Sequence, residues 1–358
     1  MLENKAETLY NVLREQVTAC VPGTRMNSFR RCMQKYNVSL STVSRAVEML
    51  RQQNLVDVVH GRGIFTTGNT IPRKKMHAVE IVFFGNEYSL SHHGYIRDLV
   101  HHLSVGLGAK NVSTRITLID NRASLKQTAG ILNRLDLENV ITLSLPNMEV
   151  LEYLKSRRLP YVCISPDVPH KMPNSVYLDN ARIMELIFSH LTENGHREIA
   201  YLHILQDDFF SMDKSERYNG FFRECARHGI VPDLELIKFG GYMAADTRKA
   251  FAGLLDSGHP FTAVIGNDHT VSGIYQEMAA RKLKVGEDIA VIGIDYLEIN
   301  QGLVPPLTSI KISRAKVAET AIRMMEDAFA DMNYQLPCIT VEPELIAGET
   351  VKKLTELI

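Results

Sequence analysis

The chain has 358 residues, of which 45% are hydrophobic and 23% charged, and a formal net charge of -1. That length exceeds one ordinary domain, so two or three are expected, and no apolar run approaches the roughly 18 residues of a membrane span. Five scattered cysteines (Cys20, Cys32, Cys163, Cys225, Cys338) show no paired spacing; with a polar N-terminus that lacks a secretory pattern, they point to a reducing, cytoplasmic setting and away from a zinc motif or disulfide framework.

The charge is unevenly spread. Residues 1–75 hold 12 Lys+Arg against 5 Asp+Glu, a net of +7, which leaves 28 against 36, a net of -8, for the remainder. A basic N-terminal module on an acidic body suits a DNA reader carried by a domain that does not itself adhere to DNA.

In chain order, Leu2, Ala6, Leu9, Leu13 and Val17 recur at helical steps, which predicts an amphipathic helix over 2–19 that Val21-Pro22-Gly23 ends. A short helix follows from Arg30 to Tyr36, then a turn at Asn37-Val38-Ser39, then a second helix from Ser41 to Gln53. Val43, Ala46, Val47 and Leu50 form its buried stripe and leave Ser41, Thr42, Ser44 and Arg45 on or beside the other face. Short polar side chains and an Arg so placed are the groups a recognition helix offers to base edges. Leu55 to His60 reads as a β-run, Gly61-Arg62-Gly63 as a turn, and Ile64 to Thr66 as the returning strand. The expected DNA contacts are Arg30, Ser39, Ser41, Thr42, Ser44 and Arg45, with His60, Gly61 and Arg62 on the hairpin.

This segment resembles the winged helix-turn-helix of GntR-type regulators, which carry V-S-x-x-T-V and a G-x-G wing (here Val38 to Val43 and Gly61 to Gly63). Val38 to Arg45 also resembles the V-S-x-x-T-V-S-R recognition helix of LacI-type repressors. The resemblance implies a small α+β DNA-binding domain over 1–67. Residues 68–76, with Gly68, Asn69, Pro72 and Arg73-Lys74-Lys75, read as a linker.

From Ala78 onward strands and helices alternate: strand 79–84, helix 95–107, strand 114–119, helix 124–135, strand 140–145, helix 148–155 and strand 161–164. After a stretch with Pro166, Pro169 and Pro173 the cycle resumes with helix 181–193, strand 199–202, helices 215–228 and 244–256, strand 263–265, helix 269–282 and strand 289–294. Two such series predict two parallel α/β subdomains over 77–358 with a ligand cleft beyond the strand ends.

The second series resembles LacI/GalR effector domains, which have the periplasmic-binding-protein type I fold. Leu178-Asp179-Asn180, Gly195-His196-Arg197-Glu198-Ile199-Ala200, Arg217-Tyr218-Asn219-Gly220-Phe221, Gly266-Asn267-Asp268, Asp288 through Asp295, and Pro305-Pro306-Leu307-Thr308-Ser309-Ile310 follow the family's motifs in order. The resemblance implies that Asp179, Arg217, Asn267 and Asp295 line the effector pocket. Carboxylate, guanidinium and amide groups suit a polyhydroxylated ligand. Tyr95 and Phe210 are candidates to stack on a sugar face, and His93 to line the cleft from its helix.

No catalytic constellation, phosphate loop or metal-ligand spacing is found, so neither enzyme activity nor a cofactor is expected. The reading is a transcriptional regulator, a repressor of carbohydrate-utilisation genes similar to the arabinose-repressor kind. It binds an operator in double-stranded DNA as a homodimer, responds to a small sugar and has no membrane partner. Two alternatives stay open: a sugar-binding or sugar-modifying protein whose N-terminal module does not bind DNA, and a regulator that senses a nucleobase.

Overall fold

The computed structural model describes residues 5–18, 20–59, 62–67, 76–86, 94–168, 170–204, 211–330 and 336–354. It divides into two compact units, Met1–Lys75 and Met76–Ile358.

The first unit contains α1 (Lys5–Thr18), α2 (Phe29–Tyr36), α3 (Leu40–Gln52), β1 (Val56–Val59) and β2 (Gly63–Thr66). The turn between α2 and α3 has a local cause. Asn37 adopts the left-handed conformation (φ 50) that ends α2, and the Ser39 hydroxyl caps α3 by accepting from Thr42 N at 3.2 Å. Val43, Ala46, Val47 and Leu50 are all buried and pack with Leu9, Leu13 and Val17 of α1. β1 and β2 pair antiparallel from Val56↔Thr66 to Val59↔Gly63. A third segment, not legible in the sequence, covers the other edge of β2. There Arg25 bridges Phe65, and Met26 N donates to Ile64 O at 2.8 Å.

The second unit builds two six-stranded sheets. In the first lie β3 (Ala78–Phe84), β4 (Ser113–Ile119), β5 (Val140–Leu143), β6 (Tyr161–Ile164), β7 (Ser175–Leu178) and β13 (Cys338–Val341), in the order β13-β7-β6-β5-β3-β4. In the second lie β8 (Ile199–Ile204), β9 (Ile237–Gly240), β10 (Ala263–Ile265), β11 (Ala290–Asp295), β12 (Thr308–Lys311) and β14 (Glu344–Ile346), in the order β14-β12-β11-β10-β8-β9. The helices between them are α4 (Gly94–Ala109), α5 (Leu125–Leu132), α6 (Met148–Ser156), α7 (Asn180–Glu193), α8 (Met212–Arg227), α9 (Ala244–Leu255), α10 (Ser272–Ala280) and α11 (Arg314–Ala330).

Three features depart from the sequence reading. First, β12 and β14 run antiparallel, so the second sheet is mixed rather than parallel. Second, β7, β9, β12, β13 and β14 were not expected. All are stretches of three or four residues: Ser175-Val176-Tyr177-Leu178 follows directly on a proline-rich run, and β9 is a half-exposed edge strand. Third, the last part of the chain does not stay in the second subdomain. α11 packs on α4 and β6, and β13 joins β7, before β14 returns to the second sheet. No helix among the described residues is long and apolar enough to cross a membrane.

Candidate functional site

Parallel strands deliver their C-terminal ends to one rim, where a cleft forms. A cavity of about 230 Å³ lies there between the two sheets of the second unit. The first subdomain contributes Phe83, Gly85 and Asn86 after β3, and Tyr95, Ile96 and Leu99 from α4. The second contributes Asp213, Lys214 and Arg217 from α8, together with Tyr242, Asn267, His269 and Asp295.

Asp295 ends β11 in a strained corner, with φ 104 at Asp295 and φ 51 at Tyr296. Arg314 holds this corner by donating to the carbonyls of Asp295 and Tyr296. Its guanidinium also sits 3.7 Å from Asp98 of α4, a link between the subdomains. Burial pushes the Asp295 carboxyl up to about 6, against the opposing pull of Arg217 and Arg314.

Arg217 is fixed through one nitrogen. Its Nε donates to Asn180 Oδ1 at 3.0 Å and to Asp213 O at 3.3 Å. Asn180 is buried, and its Nδ2 donates to Asp213 Oδ1 at 2.7 Å and Glu216 Oε2 at 2.9 Å. Tyr95 faces the same cavity from α4. It is 7% exposed, and its hydroxyl has no partner among the described residues. Burial, with Asp213 and Asp295 nearby, holds that hydroxyl firmly in its protonated form. Lys214 lies over the Tyr242 ring, 4.3 Å from its centre, and hydrogen-bonds its hydroxyl. Burial, then the neighbouring Arg217 charge, pushes the Lys214 ammonium down to about 8.

Behind Asn267 stands Asp268, 2% exposed. Its Oδ1 accepts from Ser309 Oγ at 2.7 Å and its Oδ2 from Leu297 N at 2.9 Å. Burial pushes its carboxyl up to about 7. A Cβ on Gly293 would come within 2.0 Å of Asp268 Oδ1, which gives the glycine of this motif a steric reason.

Tyr95, Arg217, Asn267 and Asp295 thus line one cavity. Asp179 does not: its carboxylate caps α7 by accepting from Arg182 N at 2.9 Å. The next residue, Asn180, is the one that reaches the site, by holding Arg217 from behind. The Asp-Asn pair marked the place, but the helix cap decides which member turns inward. His93 and Phe210 lie outside the described residues.

In the first unit Arg30, Ser41, Ser44, Arg45 and Arg62 are exposed and Thr42 is half-exposed. None of Arg30, Arg45 and Arg62 forms an ion pair among the described residues. The Ser39 hydroxyl is engaged in capping and also lies 2.8 Å from Ser41 Oγ and from Thr42 Oγ1. His60 and Gly61 lie outside the described residues. Among the described residues no cluster of His, Cys, Asp and Glu could hold a metal ion.

Residues 188–351 match the family model for a periplasmic binding protein-like domain. The HTH-type transcriptional repressor PurR of Mannheimia succiniciproducens is 28% identical over 166 residues, 46% of this chain and 49% of that protein. PurR of Aliivibrio salmonicida is 27% identical over 216 residues, 58% of this chain and 62% of that protein. The chain therefore spans about half to three-fifths of the curated relatives it matches. Among solved structures, the transcriptional regulator CelR in complex with cellobiose is similar with a TM-score of 0.68 and 21% identity, over 87% of this chain and 91% of that one. The lac repressor dimer bound to operator and the anti-inducer ONPF is similar with a TM-score of 0.67 and 19% identity, over 79% of this chain and all of that one. At these identities the likeness is one of fold: the body has the two-subdomain architecture of LacI-type regulators.

The comparisons overturn one expectation. The matched relatives are PurR repressors, and matched structures include a sugar-binding regulator of the LacI family. The GntR family assigned from the N-terminal motif does not stand.

Proposed function

We propose that the chain is a transcriptional repressor of the LacI type whose operator binding responds to a small polyhydroxylated effector in the cleft. The observation that carries this reading is the convergence of Tyr95, Arg217 and Asp295 on one cavity from both subdomains. A hydroxyl without a partner, a guanidinium bound through only one nitrogen and a buried carboxyl supply donors and acceptors for ligand hydroxyls. At about 230 Å³ the cavity falls below the roughly 300–1,000 Å³ typical of sites for drug-sized ligands, which suits a molecule of monosaccharide size.

DNA is read by α3. Ser41, Thr42, Ser44 and Arg45 contact base edges and phosphates, Arg30 and Arg62 contact the backbone, and the net charge of +7 over residues 1–75 supplies the salt-dependent part of the affinity. Two copies of the chain present two such helices to a two-fold-related operator. The effector acts by binding one arrangement of the subdomains better than another, a coupling typically worth about 1–3 kcal/mol.

Two variants separate the halves of this reading. Arg45→Ala should lose specific binding to duplex from upstream of the gene and keep the melting temperature of the body. Asp295→Asn should keep DNA binding and lose the response to effector. DNA binding untouched by Arg45→Ala would instead favour a sugar-binding protein whose N-terminal module serves another purpose.

A further inference from the structure

We infer that Arg25 is a further DNA contact: seated on Gly63 beside Arg62, it gives the β1–β2 hairpin an outward face that takes the sugar-phosphate backbone of duplex DNA. This rests on the first unit reading DNA, as proposed above.

The segment that carries Arg25 is fixed by its backbone. Gly23 N donates to Thr66 O at 2.7 Å, Thr66 N to Thr24 O at 3.0 Å, and Met26 N to Ile64 O at 2.8 Å. Residues 23–26 therefore run along β2 as a third strand, and successive side chains alternate between the two faces. Val56, Ile64 and Thr66 are buried on the inward face. Asp57, Phe65 and Arg25 stand directly opposite one another across the three strands, so they share the outward face. Arg25 is exposed there.

Gly63 gives the Arg25 side chain its seat. A Cβ on Gly63 would lie 3.2 Å from Arg25 Nε, 3.7 Å from Nη2 and 3.9 Å from Cζ, so the guanidinium rests against bare backbone. Gly63 also has φ 120, which strains any side chain placed there. Arg62, the residue before it, is exposed as well. Two arginines thus meet at one glycine, one along the chain and one across the sheet.

Neither has an acid of its own. Among the described residues Arg25 and Arg62 form no ion pair and no side-chain hydrogen bond, whereas Arg51 is held by Glu48 at 2.9 Å. Asp57, the carboxylate in the same row, stands two strand spacings from Arg25, roughly 10 Å, beyond the screening length of about 8 Å at physiological salt. Exposed, unpaired guanidinium groups in a segment of net charge +7 complement a polyanion. Leaning over Gly63, Arg25 lies along the sheet instead of projecting from it. That suits the paired oxygens of a phosphate better than insertion into a groove.

The test is fluorescence anisotropy on the full chain across a salt series. The probes are duplex from upstream of the gene, random-sequence duplex and an A-tract duplex. Arg25→Gln should weaken all three several-fold by about the same factor, and the salt slope should fall by about one ion. That factor should itself shrink about threefold between about 50 and 200 mM salt, since one phosphate contact carries a slope of about 0.9. Arg25→Lys keeps the charge and should restore the slope, and both variants should melt as the unsubstituted chain does by circular dichroism. An unchanged slope and affinity for Arg25→Gln, with Arg45→Ala still lowering binding to the upstream duplex, would overturn the inference and leave the DNA reading standing. A loss confined to the upstream or the A-tract duplex would overturn it too, because that marks a base or groove contact. An unsubstituted chain that binds none of the three would sink both.

Discussion

Asn180 Oδ1 accepts from Arg217 Nε at 3.0 Å, while the same side chain's amide nitrogen is shared between Asp213 and Glu216. One buried amide thus orients the cavity's guanidinium and satisfies two carboxylates. Replacing it by Ala removes the Oδ1 acceptor from Arg217 and the donor shared by the two half-buried carboxylates, where losing a partner costs up to about 1–3 kcal/mol. Asn180→Ala should therefore lower the urea midpoint of the body and weaken effector binding together. A variant that weakened neither would show that Arg217 needs no such support.

The glycine behind the site predicts a steric effect. A methyl on Gly293 meets Asp268 Oδ1 at 2.0 Å and Leu307 Cδ2 at 2.9 Å, both in packed surroundings. Gly293→Ala should destabilise the body by about 1–3 kcal/mol or more, as overpacked cores do. Chemical denaturation of the full chain, followed by a probe in the second unit, reads this directly.

The buried carboxyls give the body an unusual pH response. Burial pushes Asp268 up to about 7, above the value of an unfolded aspartate. Below the unfolded value both states are protonated and Asp268 is neutral in its effect. As pH rises toward 7 the unfolded state has already released the proton that the folded state still holds, so the contribution of Asp268 falls across that window. His203 works in the opposite sense. Burial pushes it down to about 4, so its contribution is lost as pH falls below the ordinary histidine range. Comparison with Asp268→Asn isolates the first effect: the variant should gain relative to the unsubstituted chain between pH 5 and pH 7.5. A constant difference across that range would contradict it.

How far the sequence reaches is clear from particular residues. The stripe Val43, Ala46, Val47 and Leu50 could be read from spacing because a helix buries one face, and each of the four is buried. Asp295, Arg217 and Asn267 stand at strand ends or on a helix facing the cleft, where their motifs suggest. What sequence could not show is pairing over distance. Asn180 meets partners 33 to 37 residues away, and nothing in Asp179-Asn180 says which member faces inward until the helix start is fixed. Lys214 was missed for a similar reason: one Lys in a charged helix carries no mark of burial. The return of α11 and β13 to the first subdomain is likewise a matter of topology that no local pattern records.

On the DNA side, Arg45 and Arg62 should fail differently. Arg45→Ala should lower affinity and relax sequence preference, because α3 reads bases. Arg62→Ala should weaken all sequences about equally and reduce the salt slope by about one ion. Fluorescence anisotropy with specific and scrambled duplexes across a salt series separates the two outcomes.

The most direct test of the whole account is one titration. Fluorescent duplex from upstream of the gene is titrated with the full chain, with and without whichever sugar raises its melting temperature. The account predicts tight, salt-dependent binding over scrambled duplex that the ligand weakens by roughly 5- to 150-fold. Binding that ignores both the duplex sequence and the ligand would contradict it.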